Sequence, residues 1–119
     1  MKTVLWVARH QMTAEQFHDL ERIQGEPICL SPWKNTVQRI GELLPHIAQA
    51  DAVAAVLPPE LLMELLHSAG GKPVLQAVSK RVPTGRIITL ADGRTEPEFA
   101  FVHGGWKQIL RLEMETRML

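Results

Sequence analysis

A chain of 119 residues can close one hydrophobic core but not two. Its 45% hydrophobic and 22% charged residues are ordinary for a globular protein and exclude a disordered one. Thirteen basic residues balance thirteen acidic ones, so no overall field draws the molecule to duplex nucleic acid or an anionic membrane, and any anion site must be a local patch. From Thr3 to Ala8 the chain is nearly all apolar, as expected of a strand buried on both faces. Arg9 and His10 stop that run short of a signal-peptide core. Thr13-Ala-Glu-Gln16 has capping-box spacing, with Met12 and Phe17 at the staple positions. Phe17, Leu20 and Ile23 then recur at helical spacing, and Gly25 suits the left-handed residue that ends the helix.

Pro27 to Leu30 reads as a second strand, followed by a loop over Ser31-Pro-Trp-Lys-Asn35. A second helix is expected from Thr36, with Val37, Ile40, Leu43, Leu44 and Ile47 on one face, kinked or restarted at Pro45. Asp51 to Leu57 reads as a third buried strand. Pro58-Pro59 then opens a third helix over Glu60 to Ala69, which Gly70-Gly71 ends. Pro73 to Lys80 reads as the fourth strand. The order βαβαβαβ implies an α/β fold with a mainly parallel sheet.

From about residue 86 the period changes. Arg86 to Ala91 and Arg94 to Val102 flank Asp92-Gly93, a strong hairpin signal, so a C-terminal antiparallel β unit follows within the same domain. The tail alternates, with Leu110, Leu112, Met114 and Met118 against Arg111, Glu113, Glu115 and Arg117, which predicts a half-exposed strand. That apolar strip on a small domain also predicts a homodimer. The longest apolar run outside the first strand, Ala52 to Leu57, is far below the roughly 20 residues that span a bilayer. Cys29, the single cysteine, excludes an internal disulfide, suits a reducing compartment and is expected to be buried and inert. A cytoplasmic protein without membrane contact is the expectation.

Open α/β sheets bind ligands outside the carboxyl ends of their strands. The residues expected there are Arg9, His10 and Gln11 after strand one, Trp33, Lys34 and Asn35 after strand two, Pro58 after strand three, and Ser79, Lys80 and Arg81 after strand four. The set is basic and contains no carboxylate. It suits phosphate, with Trp33 available to stack on a base. Each residue also has a plainer reading, since strands end at the surface, a loop Trp can be a lid over the core, and His103 after its hairpin strand is expected in solvent. No phosphate-binding loop, dinucleotide fingerprint, nucleophile elbow or metal-ligand spacing is present, so no cofactor or metal is expected.

Val7-Ala-Arg-His10 followed by Met12-Thr13 and Gln16, together with Asp51-Ala-Val-Ala-Ala-Val-Leu-Pro58-Pro59, resembles the small CRISPR-associated ring nucleases over roughly residues 1–82. The resemblance implies a Rossmann-like fold, a dimer, and metal-independent cleavage of a cyclic oligoadenylate messenger. It matches His10 to the histidine after the first strand and Leu57-Pro58 to the messenger-facing strand end. On this reading His10 moves a proton, Arg9, Lys80 and Arg81 stabilise phosphate, and Gln11, Trp33, Lys34, Asn35, Pro58 and Ser79 contact the ligand. Two other readings stay open: a non-catalytic nucleotide-binding module, and a homodimeric interaction protein with no small-molecule ligand.

Overall fold

The computed structural model describes all residues from Met1 to Leu119. Five strands, β1 (Lys2–Val7), β2 (Ile28–Trp33), β3 (Ala52–Ala55), β4 (Val74–Thr89) and β5 (Thr95–Gln108), form one mixed sheet in the order β2-β1-β3-β4-β5. The first four run parallel, and β5 returns antiparallel to β4. Three helices, α1 (Ala14–Gln24), α2 (Leu44–Gln49) and α3 (Pro59–Ser68), lie between strands.

Alternation along the strands sends the apolar residues of this one domain to both faces of its sheet, because successive side chains leave a strand on opposite sides. Leu5, Val7, Val53, Ala55 and Val74 pack with Leu43 and Ile47 and with Leu62 and Leu65 of α3. Val4, Trp6, Ala52, Ala54 and Leu75 pack on the other face with Met12, with Leu20 of α1 and with Trp106. A sheet covered on both faces explains why β1 and β3 read as unbroken apolar runs rather than alternating ones.

The capping box forms as expected. The Gln16 amide donates to Thr13 Oγ1 at 3.1 Å, and the Thr13 amide donates to Gln16 Oε1 at 2.9 Å. Gly25 ends α1 at φ 73°, with its N–H bonded to Glu21 and Arg22 carbonyls. The expected second helix is shorter than its periodicity suggests. Residues 36–39 are irregular although Val37 is buried, a 3₁₀ turn covers Ile40–Leu43, and α2 starts at Leu44 with Pro45 in its first turn. Pro45 has no amide hydrogen for the turn before it, so the α-helical ladder restarts there.

β2 runs three residues further than expected. Pro32 is tolerated because β2 is an edge strand, where a missing N–H leaves no neighbour unpaired. Cys29 is exposed on that edge rather than buried. The largest departure is in the last third. The expected fourth strand and the first hairpin strand are one continuous β4, and Pro83 and Gly85 between them are taken up by a shift in the ladder between Pro83 and Ile87. Thr84 Oγ1 donates there to Glu98 Oε1 at 2.9 Å. The Asp92-Gly93 turn forms where expected, with Gly93 at φ 86° and the Arg94 amide bonded to Asp92 Oδ1 at 3.0 Å.

β3 pairs with β4 only at Val74 and Leu75, so the rest of β4 and most of β5 project as a two-stranded arm. The radius of gyration is accordingly 17.5 Å, against about 13.5 Å for a compact chain of this length. The tail is neither helix nor strand, which corrects the expected strand over Leu110–Met118. Alternation had no partner edge to pair with, because the ladder with β4 ends where the Ile109 amide bonds the Val74 carbonyl, and the residues beyond it pair with no strand. Ile109 and Leu112 pack against the α3-side core, while Leu110, Met114 and Met118 stay exposed.

Candidate functional site

β1 lies between β2 and β3, so the chain leaves it in opposite directions across the sheet and opens a crevice at its carboxyl end. Two clefts flank that end. The first, of about 230 Å³, has Arg9, Asn35, Thr36 and the Leu57-Pro58 junction around a floor of Val7, Val37 and Leu61. The second, of about 510 Å³ on the α1 side, has His10, Gln11, Thr13, His18 and Lys34 over Trp6, Phe17, Leu30 and Pro32. Neighbours in sequence thus face different clefts, Arg9 against His10 and Asn35 against Lys34. An extended chain sends successive side chains to opposite sides, and both strand ends are still extended there.

Electrostatically the two clefts are one-sided. Arg9, Lys34 and two imidazoles line them, and no carboxylate does. The first turn of α3 adds less than its helix dipole suggests, since Pro59 has no N–H, the Leu62 amide bonds Pro58 O, and Glu60 places a carboxylate in that turn. His10 is seated by Trp6, whose Nε1 donates to the His10 carbonyl at 3.1 Å and whose ring meets the imidazole edge-on at 5.5 Å. The His10 ring itself makes no hydrogen bond within the protein.

Of the residues expected at this rim, the structure brings together Arg9, Asn35 and Pro58 in one cleft and His10, Gln11 and Lys34 in the other. It does not bring in the remaining four. Trp33 belongs to β2 and packs half-buried on the α3-side core, 5.2 Å from the His46 ring, with its Nε1 buried and unpaired, so it lines neither cleft. Ser79, Lys80 and Arg81 are not at a strand end at all. They sit within β4 opposite His103, Val102 and Phe101, and alternation sends Lys80 to the opposite face from the other two. The Arg81 guanidinium lies 3.9 Å over the Phe99 ring, which occupies it within the arm.

Thr13, His18 and Thr36 line the clefts without having been singled out. The signal for Thr13 and His18 lay in the tight connection from β1 to α1, which leaves the first turn of α1 beside the strand end.

His103 is the clearest miss, because it is not in solvent. Its Nε2 lies 2.8 Å from Asp19 Oδ2, with both side chains largely buried. Arg22 reaches the other Asp19 oxygen through Nε at 2.8 Å and a terminal nitrogen at 2.7 Å. The hydrogen bond from His103, with Arg22 beside it, holds the Asp19 carboxyl below the usual carboxylate range. Trp106 completes this clamp between arm and body, donating from Nε1 to the Gln16 carbonyl at 3.0 Å and meeting Trp6 edge-on at 6.0 Å.

No three His, Cys, Asp or Glu side chains come close enough to share a metal ion. No helix is long and apolar enough to cross a membrane. No protein-family model, curated protein or solved structure matches the chain.

Proposed function

We propose that this is a Rossmann-like, cytoplasmic protein that binds a nucleotide-type phosphodiester across the two clefts at the end of β1. The observation that carries the reading is their one-sided charge: a molecule with no net charge lines these adjoining clefts with Arg9, Lys34 and two imidazoles and with no carboxylate. Apolar floors beneath cations suit a ligand with planar bases and a charged backbone. Arg9 and Lys34 approach such a backbone from either side of the ridge between the clefts.

The ring-nuclease resemblance extends this to a cyclic oligoadenylate, held across a two-fold axis and opened without a metal. In that reaction the ribose 2′-oxygen attacks the adjacent phosphorus, and the bond to the 5′-oxygen breaks. A 2′,3′-cyclic phosphate and a 5′-hydroxyl result. His10 is the group placed to take the 2′ proton or return one to the 5′-oxygen, while Arg9 and Lys34 stabilise the charged phosphorane. Lys80 and Arg81, on the arm, have no part in this scheme.

The test is incubation with linear and cyclic oligonucleotides in chelator, with products read by chromatography and affinity by calorimetry. Arg9→Ala and Lys34→Ala should each weaken binding, and added salt should weaken it further. His10→Ala should cut turnover by about 10²–10⁴ while leaving affinity within a few-fold. No binding by any oligonucleotide overturns the proposal. The lack of any hydrogen bond orienting the His10 ring favours a second reading, binding without cleavage. Tight binding with no turnover would select it.

A further inference from the structure

The arm and α1 enclose a third hollow of about 350 Å³, next to the second cleft with which it shares Thr13, lined also by Glu15, Gln16, Ser79, Phe101 and His103. Two side chains of its lining, Ser79 and His103, meet there from different strands, and Asp19 backs His103 from behind the wall. Asp19 on α1 holds His103 Nε2 at 2.8 Å, and His103 on β5 is the direct cross-strand partner of Ser79 on β4. The ionised Asp19 can only accept, so the proton of the neutral imidazole resides on Nε2 and the lone pair on Nδ1. That Nδ1 is buried and has no hydrogen-bond partner.

We infer that Ser79, His103 and Asp19 form a nucleophile–base–orienter set, and that the hollow is a hydrolytic site for small carboxylic esters. Cross-strand neighbours have Cβ atoms about 4.5–5.5 Å apart, so a rotation about χ1 brings the Ser79 hydroxyl toward Nδ1. Such bonds are commonly unmade until substrate is bound. The other hydroxyl in the hollow, on Thr13, is already engaged in capping α1.

The β5 backbone is shaped to permit this arrangement. The ladder skips Gly104 between Ser79 and Val78, and this bulge places His103 and Trp106 on the same face, toward α1. A regular strand would send residues three apart to opposite faces.

Ser79 Oγ attacks the ester carbonyl carbon as its proton passes to His103 Nδ1. The tetrahedral adduct expels the alcohol, which takes that proton. Water, deprotonated by Nδ1, then attacks the acyl-serine, and the carboxylic acid leaves as the proton returns to Ser79. Ester and water are consumed, and acid and alcohol are formed. The amide hydrogen of Glu15, in the first turn of α1 beside the hollow, has no intrahelical acceptor and would serve the developing oxyanion. Phe101 offers an apolar wall and Glu15 a carboxylate, which selects neutral or cationic esters over anionic ones.

The intact chain is treated with a fluorophosphonate probe and mapped by peptide mass spectrometry, and hydrolysis of neutral p-nitrophenyl esters is followed by absorbance. One adduct on Ser79 is expected. Ser79→Ala, at an exposed position, should keep the fold, lose the adduct and lower ester turnover at least a hundredfold. Asp19→Asn should lower turnover at least tenfold while the adduct still forms slowly on Ser79, a result that loss of folding would not give. No adduct on Ser79, or equal turnover in Ser79→Ala, overturns the inference. Neither outcome bears on oligonucleotide binding at Arg9 and Lys34.

Discussion

The body of the sheet and its arm are made of the same element, a β-strand, under opposite conditions. β1 and β3 are paired on both edges and covered on both faces, and β3 is buried at every position. Beyond Leu75, β4 and β5 have only each other, and no residue of either is fully buried. Phe101 and Ile87 stand in solvent at 74% and 73% exposure. A lone two-stranded ribbon is marginal in water. The arm's order therefore depends on its base, where Trp106 and His103 fasten it to α1 across the Gly104 bulge. Burial makes the body, and a few polar contacts place the arm.

Truncation separates the two regimes most sharply. Leu65→Ala empties a position with no exposure in the α3-side core and should cost about 2–5 kcal/mol. Phe101→Ala removes a larger side chain from the arm and should change stability by no more than about 0.5 kcal/mol. Urea midpoints for both variants, taken at several protein concentrations, test the contrast. A cost above about 1 kcal/mol for Phe101→Ala that grows with concentration would show the arm's apolar face covered by a second copy.

A methyl group at the bulge tests how the base of the arm is held. A Cβ on Gly104 would lie 2.9 Å from Lys80 Cγ and 3.1 Å from the Val78 carbonyl oxygen. The lysine stem can swing away, but the carbonyl belongs to the β4 backbone and cannot. Gly104→Ala should cost about 1–3 kcal/mol, as overpacking does. Hydrogen exchange should localise the loss to arm amides and leave β1 and β3 protected. Equal loss of protection in β1 would mean that arm and body unfold as one unit.

The body was largely legible in sequence because its signals are local. The unbroken apolar runs of β1 and β3 and the Thr13–Gln16 box each act within a few residues, as does the Asp92-Gly93 turn at the tip of the arm. What escaped depends on partners far along the chain. His103 and Asp19 are 84 residues apart, and nothing near His103 marks it as a buried hydrogen-bonding residue. Pro83 and Gly85 look like a strand break unless a partner strand is present to absorb them in a bulge. The tail alternates as a strand does, yet alternation describes only two faces and says nothing of a free edge to pair with. The same blindness dispersed the rim. Arg9, His10, Lys34 and Asn35 follow strands whose ends are locally marked, whereas Ser79, Lys80 and Arg81 required knowing that β4 continues into the arm.

Protonation offers the gentlest way to loosen the arm from the body. Asp19 is ionised more readily in the folded protein than in the unfolded chain, because His103 and Arg22 hydrogen-bond to its carboxylate. A carboxyl whose folded pKa is lowered adds stability that is fully present above its unfolded pKa, about 3.9, and is lost as pH falls through the folded value. The stability difference between the parent and Asp19→Asn should therefore stay level from pH 7 to about pH 5 and shrink only below about pH 4. Subtracting the variant removes the contribution of every other carboxyl, which titrates in both proteins. A difference that persists undiminished to pH 2 would mean Asp19 does not gain from the contact. One that vanishes well above pH 4 would mean the contact is lost before Asp19 is protonated.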